Sequence, residues 1–160
     1  MSLPARLQRH WRRTTAVFAA LLAGCAPAAP PSVEGLAFPV LVLFEQSGTV
    51  RHDDAADLHS MSVQRVAGSN SAPFLIDARF DIYRLERLQS VHGGLWLMAN
   101  PSGSTEVTFE LVREAQGDAA RARELLLQRE SRLRSGLDPD AASRLEQAST
   151  WPAMLEAIGR

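Results

Sequence analysis

The hydrophobic period of this chain changes once, at Gly117, and that change restricts the fold more than any other feature. Before it, apolar residues alternate; after it, they recur every three or four positions. In FLIDARFDIYRLERL, residues 74–88, Ile76, Ala78, Phe80 and Ile82 alternate with Asp77, Arg79, Asp81 and Tyr83. That is the period of a strand with one buried face. Its far end, YRLERL, also fits a first helical turn. In TEVTFELVR, residues 105–113, Val107, Phe109 and Leu111 alternate with Thr108 and Glu110. FPVLVLF, residues 38–44, is a short apolar run that predicts a buried strand, and SMSVQRV, residues 60–66, predicts a further one. LWLMA, residues 95–99, is apolar on both sides. It predicts a central strand covered on both faces, with Trp96 in the core; were that face open, Trp96 and Met98 would instead form an exposed apolar patch that marks a partner site. VHGG before it and NPSGS after it carry turn chemistry, with His92 a turn residue. Three strands in succession with tight turns make an antiparallel meander.

Beyond Gly117, Asp118 is a good N-cap. Ala119, Ala122, Leu126 and Leu133 then fall near one helical stripe, and Gly136 ends it. Asp138-Pro139 starts a second helix by cap and first-turn proline. TWPAMLEAIG makes a last short one, with Trp151 placed to pack it onto the sheet. Strands first and helices last predict an α+β fold: an antiparallel meander sheet, then C-terminal helices packed on one face.

The first 35 residues stand apart from this pattern. MSLPARLQRHWRRTT carries Arg6, Arg9, Arg12 and Arg13 and no acid, and AVFAALLAG follows as an apolar run of nine. A span needs about 20 apolar residues; a basic stretch, a short apolar run and small residues make an export signal instead. Thr14-Thr15-Ala16 after the arginine pair favours unfolded export over the twin-arginine route. Leu22-Ala23-Gly24-Cys25 resembles the lipobox of bacterial lipoproteins. The resemblance implies cleavage before Cys25, a diacylglycerol thioether on its sulfur and fatty acylation of the new amino group. Ala26 in place of an aspartate implies the outer membrane, with the protein facing the periplasm. Residues 1–24 are then the signal peptide. Residues 25–35 are the lipidated cysteine and a Pro/Ala-rich tether, extended at about 3.1 Å per residue. Residues 36–160 are a single domain.

The chain has 17 Arg, no Lys and 18 acids. Loss of the four signal arginines leaves 13 against 18, net −5, which disfavours nucleic acid as a partner. Cys25 is the sole cysteine; once acylated it leaves no thiol for a disulfide.

RHDDAADLH, residues 51–59, gathers His52, Asp53, Asp54, Asp57 and His59. These residue types can ligate a divalent metal or build a histidine base steered by aspartate. The spacing matches no HExxH-type motif, and a polar capped turn is the reading we adopt. Asp77, Arg79 and Asp81 would share one strand face as a self-compensating solvated ladder. Arg121, Arg129 and Arg132 would form a basic helix face, solvated or docked on an acidic partner. There is no nucleophile elbow and no phosphate loop. Three functions follow. The first is a non-catalytic envelope lipoprotein acting on another envelope protein as assembly factor, inhibitor or scaffold, with no cofactor. The second is a module binding a small or lipidic ligand in a pocket lined by Trp96, Phe80 and Phe109. The third is a metal-dependent hydrolase using His52 and His59. The first is our expectation.

Overall fold

Strand β1 (Val40–Phe44) is VLVLF, and every residue of it is buried. A strand presents successive side chains to opposite faces, so β1 must be covered on both sides. Val40, Val42 and Phe44 enter one cluster, with Leu75, Tyr83, Leu85, Val107 and Phe109. Leu41 and Leu43 enter the other, with Ile76, Ile82 and the C-terminal helices. The computed structural model describes residues 33–69, 71–132 and 138–159. The expected signal peptide, Cys25, the expected tether as far as residue 32, Leu133 and Gly136 lie outside the described residues.

Six strands form one antiparallel sheet. Strand β2 (Gly48–His52) pairs with β1, and β3 (Ser60–Ser62) follows the four-residue helix α1 (Ala55–Leu58). After helix α2 (Val63–Ala67) come β4 (Phe74–Ile76), β5 (Ile82–Ser90), helix α3 (Gly94–Ala99) and β6 (Ser104–Ala115). The order across the sheet is β2-β1-β4-β5-β6-β3. The two edge strands are thus joined by residues 53–59 alone. A flat sheet of six strands would separate its edges by about 24 Å. A seven-residue link with four residues coiled in α1 falls short of that span. The sheet therefore curls, and Leu58 and Met61 close onto the same inner cluster as Val40 and Val42. Val33, Leu36 and Phe38 pack against that cluster as well.

The outer face carries helices α4 (Ala119–Ser131), α5 (Pro139–Gln147) and α6 (Trp151–Ala157). Asp118 caps α4 by accepting from the Arg121 amide. Thr150 caps α6 by accepting from the Ala153 amide. Ala122, Leu125, Leu126, Leu145, Trp151, Met154 and Leu155 meet the sheet residues Leu41, Leu43, Ile76 and Ile82. The fold is the expected α+β arrangement of an antiparallel sheet followed by C-terminal helices.

Three local expectations are corrected. LWLMA is a helix, α3, with no buried residue, so Trp96 is not in the core. Leu, Met and Ala are good helix formers and none is β-branched. Strands β5 and β6 already pair with each other directly, so no strand position is left for the segment between them. Residues 74–88 are two strands, because the Asp77 side chain accepts from the Arg79 and Asp81 amides and turns the chain there. Phe80 sits at φ 65° in that turn, which breaks the alternation. Finally, 60–66 stays extended only to Ser62 before α2 begins. Strand β2 carries little apolar pattern (GTVRH), and nothing in its residues alone predicts it.

Candidate functional site

The end of the β5–β6 hairpin is the most exposed apolar feature of the described residues. Residues 88–105 contain no Asp, Glu, Lys or Arg. Within them α3 exposes Leu95 to 87 %, Met98 to 80 % and Trp96 to 37 %, and Val91 is exposed beside them. The tip is built rather than loose. The Ser90 and Thr105 hydroxyls bond across the hairpin, and the Val91 amide donates to the Glu106 carbonyl. The His92 ring stacks on Trp96 at 4.2 Å between centroids, and the Asn100 side chain donates to the Trp96 carbonyl at 3.0 Å. Large apolar side chains held outward on an ordered element mark an interaction surface.

At the opposite end of β5 lies a cluster of buried carboxylates. Asp77 is fully buried and Asp81 nearly so, so the expected solvated ladder is not what forms. Asp77 Oδ1 accepts from the Arg79 and Asp81 amides at 2.9 and 3.0 Å. Its Oδ2 accepts from the Ala37 amide and the Arg79 guanidinium at 3.1 and 3.2 Å. Arg79 also donates to the Gly35 carbonyl. Asp81 accepts from the Gly117 amide at 2.9 Å, and the guanidinium groups of Arg79 and Arg113 each stand 3.9 Å from its other oxygen. Asp81 Oδ2 also accepts from the Tyr83 hydroxyl at 3.4 Å, and through their backbone donors the two carboxylates tie the N-terminal arm and the entrance of α4 to the sheet.

The residues of 51–59 are absorbed by their own turn. Asp54 caps α1 by accepting from the Asp57 amide. Asp57 accepts from the Asp53 amide, and Asp53 pairs with Arg51. His52 is buried, its Nδ1 3.1 Å from the Asp57 carbonyl and 3.2 Å from Asp57 Oδ2. Nδ1 therefore carries the proton, and Nε2 is buried with no partner among the described residues. Burial pushes the His52 pKa below its ordinary value, against the pull of Asp57. His59 instead stacks on Phe109 at 5.5 Å. Among the described residues no group of three or more His, Cys, Asp or Glu side chains is arranged to hold a metal.

The pocket expected from Trp96, Phe80 and Phe109 does not form: Trp96 is at the tip, Phe80 packs edge-on against Trp151, and Phe109 is in the inner cluster. The basic helix face also divides. Arg121 is paired with Glu124 at 2.7 Å. Arg129 and Arg132 turn toward a cleft of about 340 Å³ between α4 and the sheet, where Arg84 of β5 joins them. Arg84 is a site residue that sequence reasoning missed. Its signal is the register Phe74↔Arg84, which needs the β4–β5 turn to be known. No protein family, curated protein or solved structure matches the chain.

Proposed function

We propose that the protein is a non-catalytic, lipid-anchored envelope protein that acts by binding another envelope protein through the α3 tip, in an assembly, accessory or inhibitory role. In this reading Cys25 carries the lipid and holds the domain at the outer membrane on the periplasmic side. The observation that carries it is the uncharged, outward-facing surface of Leu95, Trp96 and Met98. An isolated exposed leucine needs no explanation, but three large apolar side chains on one six-residue helix do.

The placement of the tip supports a protein partner over the anchoring bilayer. The N-terminal arm meets the sheet where Ala37 bonds Asp77, just before β5, and the tip lies past the other end of that strand. Nine strand residues span about 30 Å. The Ala37 contact of the arm and the apolar tip therefore lie at opposite ends of β5, which supports a partner other than the anchoring bilayer. The experiment is site-specific photo-crosslinking in the native envelope, with the probe at Met98 and a control probe at exposed Glu124. A discrete protein adduct from position 98 alone is expected. Lipid adducts only, or equal labelling from both positions, would refute the reading.

A further inference from the structure

The cleft beside α4 has a composition that the tip does not share. Its floor is apolar, formed by Leu43 of β1, Phe74 of β4 and Leu125 of α4, with Ala72 on the rim. Its polar wall holds three guanidinium groups, Arg84, Arg129 and Arg132, against one carboxylate, Glu45. Arg84 is satisfied already: it pairs with Glu114 at 2.5 Å and lies over the Phe74 ring at 5.7 Å. Glu45 accepts from the Ser71 hydroxyl. Among the described residues, neither Arg129 nor Arg132 has a carboxylate within ion-pair distance.

Arginines in the last turn of a helix complement its carbonyl end, and that accounts for finding them here in the sequence. It does not account for the partial burial of Arg129, which costs free energy when no acid meets it at ion-pair distance. Burial and the neighbouring Arg132 both act to lower the Arg129 pKa, and Glu45 and Glu130 oppose them. Of the cleft's three arginines, only Arg84 has a carboxylate at ion-pair distance among the described residues. Arg129 and Arg132 therefore face the cleft as two guanidinium groups able to share one anionic head, with Glu45 and Glu130 acting on Arg129 at longer range. Guanidinium groups present paired donors that match a carboxylate or phosphate edge.

We propose that this cleft binds a small monoanionic amphiphile, a single carboxylate or phosphodiester head on an apolar body, with Arg129 and Arg132 on the head and Leu43, Phe74 and Leu125 against the body. The volume of about 340 Å³ is at the small end of ligand sites, about 300–1,000 Å³. It accepts a compact molecule or the head end of a longer one. The proposal is independent of the partner-binding role of the tip.

The test is an amide-shift NMR titration of the full chain in non-ionic detergent. The probes are hexanoate for the carboxylate head, dibutyl phosphate for the phosphodiester head, and hexanol as the neutral control. Shifts at residues 71, 72 and 125–132 are expected with at least one anion and not with hexanol; which anion acts identifies the head. Arg129→Gln should weaken the binding about tenfold or more, as loss of a charge-assisted hydrogen bond does. Ala72 is exposed, so Ala72→Trp can obstruct the cleft without entering the core and should abolish the shifts. If Arg129→Gln does not fold, Arg132→Gln and Ala72→Trp decide. Silence of these amides toward both anions, an equal response to hexanol, or wild-type binding by folded variants would overturn the proposal.

Discussion

Replacing Asp77 should destabilise the domain more than any surface carboxylate could. The side chain is 0 % exposed and accepts from three backbone amides, those of Ala37, Arg79 and Asp81, and from the Arg79 guanidinium. Asp77→Ala removes all four bonds at once. A buried donor left without a partner costs about 1–3 kcal/mol. Arg79 lies on an exposed residue, so water can rescue its amide, whereas Asp81 is buried and Ala37 half-buried. Two lost partners at the middle of that range, with the turn loosened, give about 3–5 kcal/mol. Against an ordinary stability of about 5–15 kcal/mol, that is enough to threaten folding. Asp77→Asn should cost less, about 2 kcal/mol. Its oxygen can still serve Arg79 and Asp81, but its amide group then faces the Ala37 donor. Urea unfolding followed by far-ultraviolet circular dichroism measures both. A loss below about 1 kcal/mol for Asp77→Ala would mean that these contacts do not hold the arm and the turn, and the account of the cluster would fail.

Trp96 and Trp151 should behave oppositely. Trp96→Ala at the exposed tip should change stability by no more than about 0.5 kcal/mol. Trp151→Ala, which empties a buried site against Phe80, should cost about 3–5 kcal/mol; equal melting shifts would contradict this placement. His52 should make the domain acid-sensitive. Its folded pKa lies below the unfolded 6.5, so the unfolded chain binds the proton more readily. Its neutral form is fully compatible with folding above about pH 6.5. Stability should then fall as pH drops from there to the lowered folded pKa, by at most about 1.4 kcal/mol per pH unit. His52→Asn should flatten this slope in urea midpoints taken at about pH 7.5 and pH 5, and an unchanged slope would clear His52 of the effect. Cys25→Ser should abolish metabolic labelling by fatty acid; labelling that survives would remove the lipid anchor from the proposed function.

Much of the architecture is legible in the residues because burial leaves a period. The alternation of Val107, Phe109 and Leu111, the unbroken VLVLF run and the capped helices after Asp118 and Thr150 each name an element from local chemistry. LWLMA shows the limit. Five apolar residues carry no readable period, and whether they are a buried strand or an exposed helix depends on whether strand partners are free. The pairing of β5 with β6 decides that, at a distance in sequence. Asp77 and Asp81 were misread for a related reason. A period of two places them on the solvent side, and only the turn between β4 and β5 carries them inside to meet Ala37 and Gly117. The arginine cleft gathers β1, β4, β5 and α4, and Arg84 enters it through register alone. The sequence by itself determined that VLVLF and one face of the alternating 105–113 stretch must be buried and where α4, α5 and α6 begin, since propensity, capping and patterning act over a few residues. Which apolar segment was left outside, which carboxylates went in, and which guanidinium groups came to line one cleft was decided by the tertiary structure. Burial and charge compensation depend on neighbours that only the folded sheet brings together.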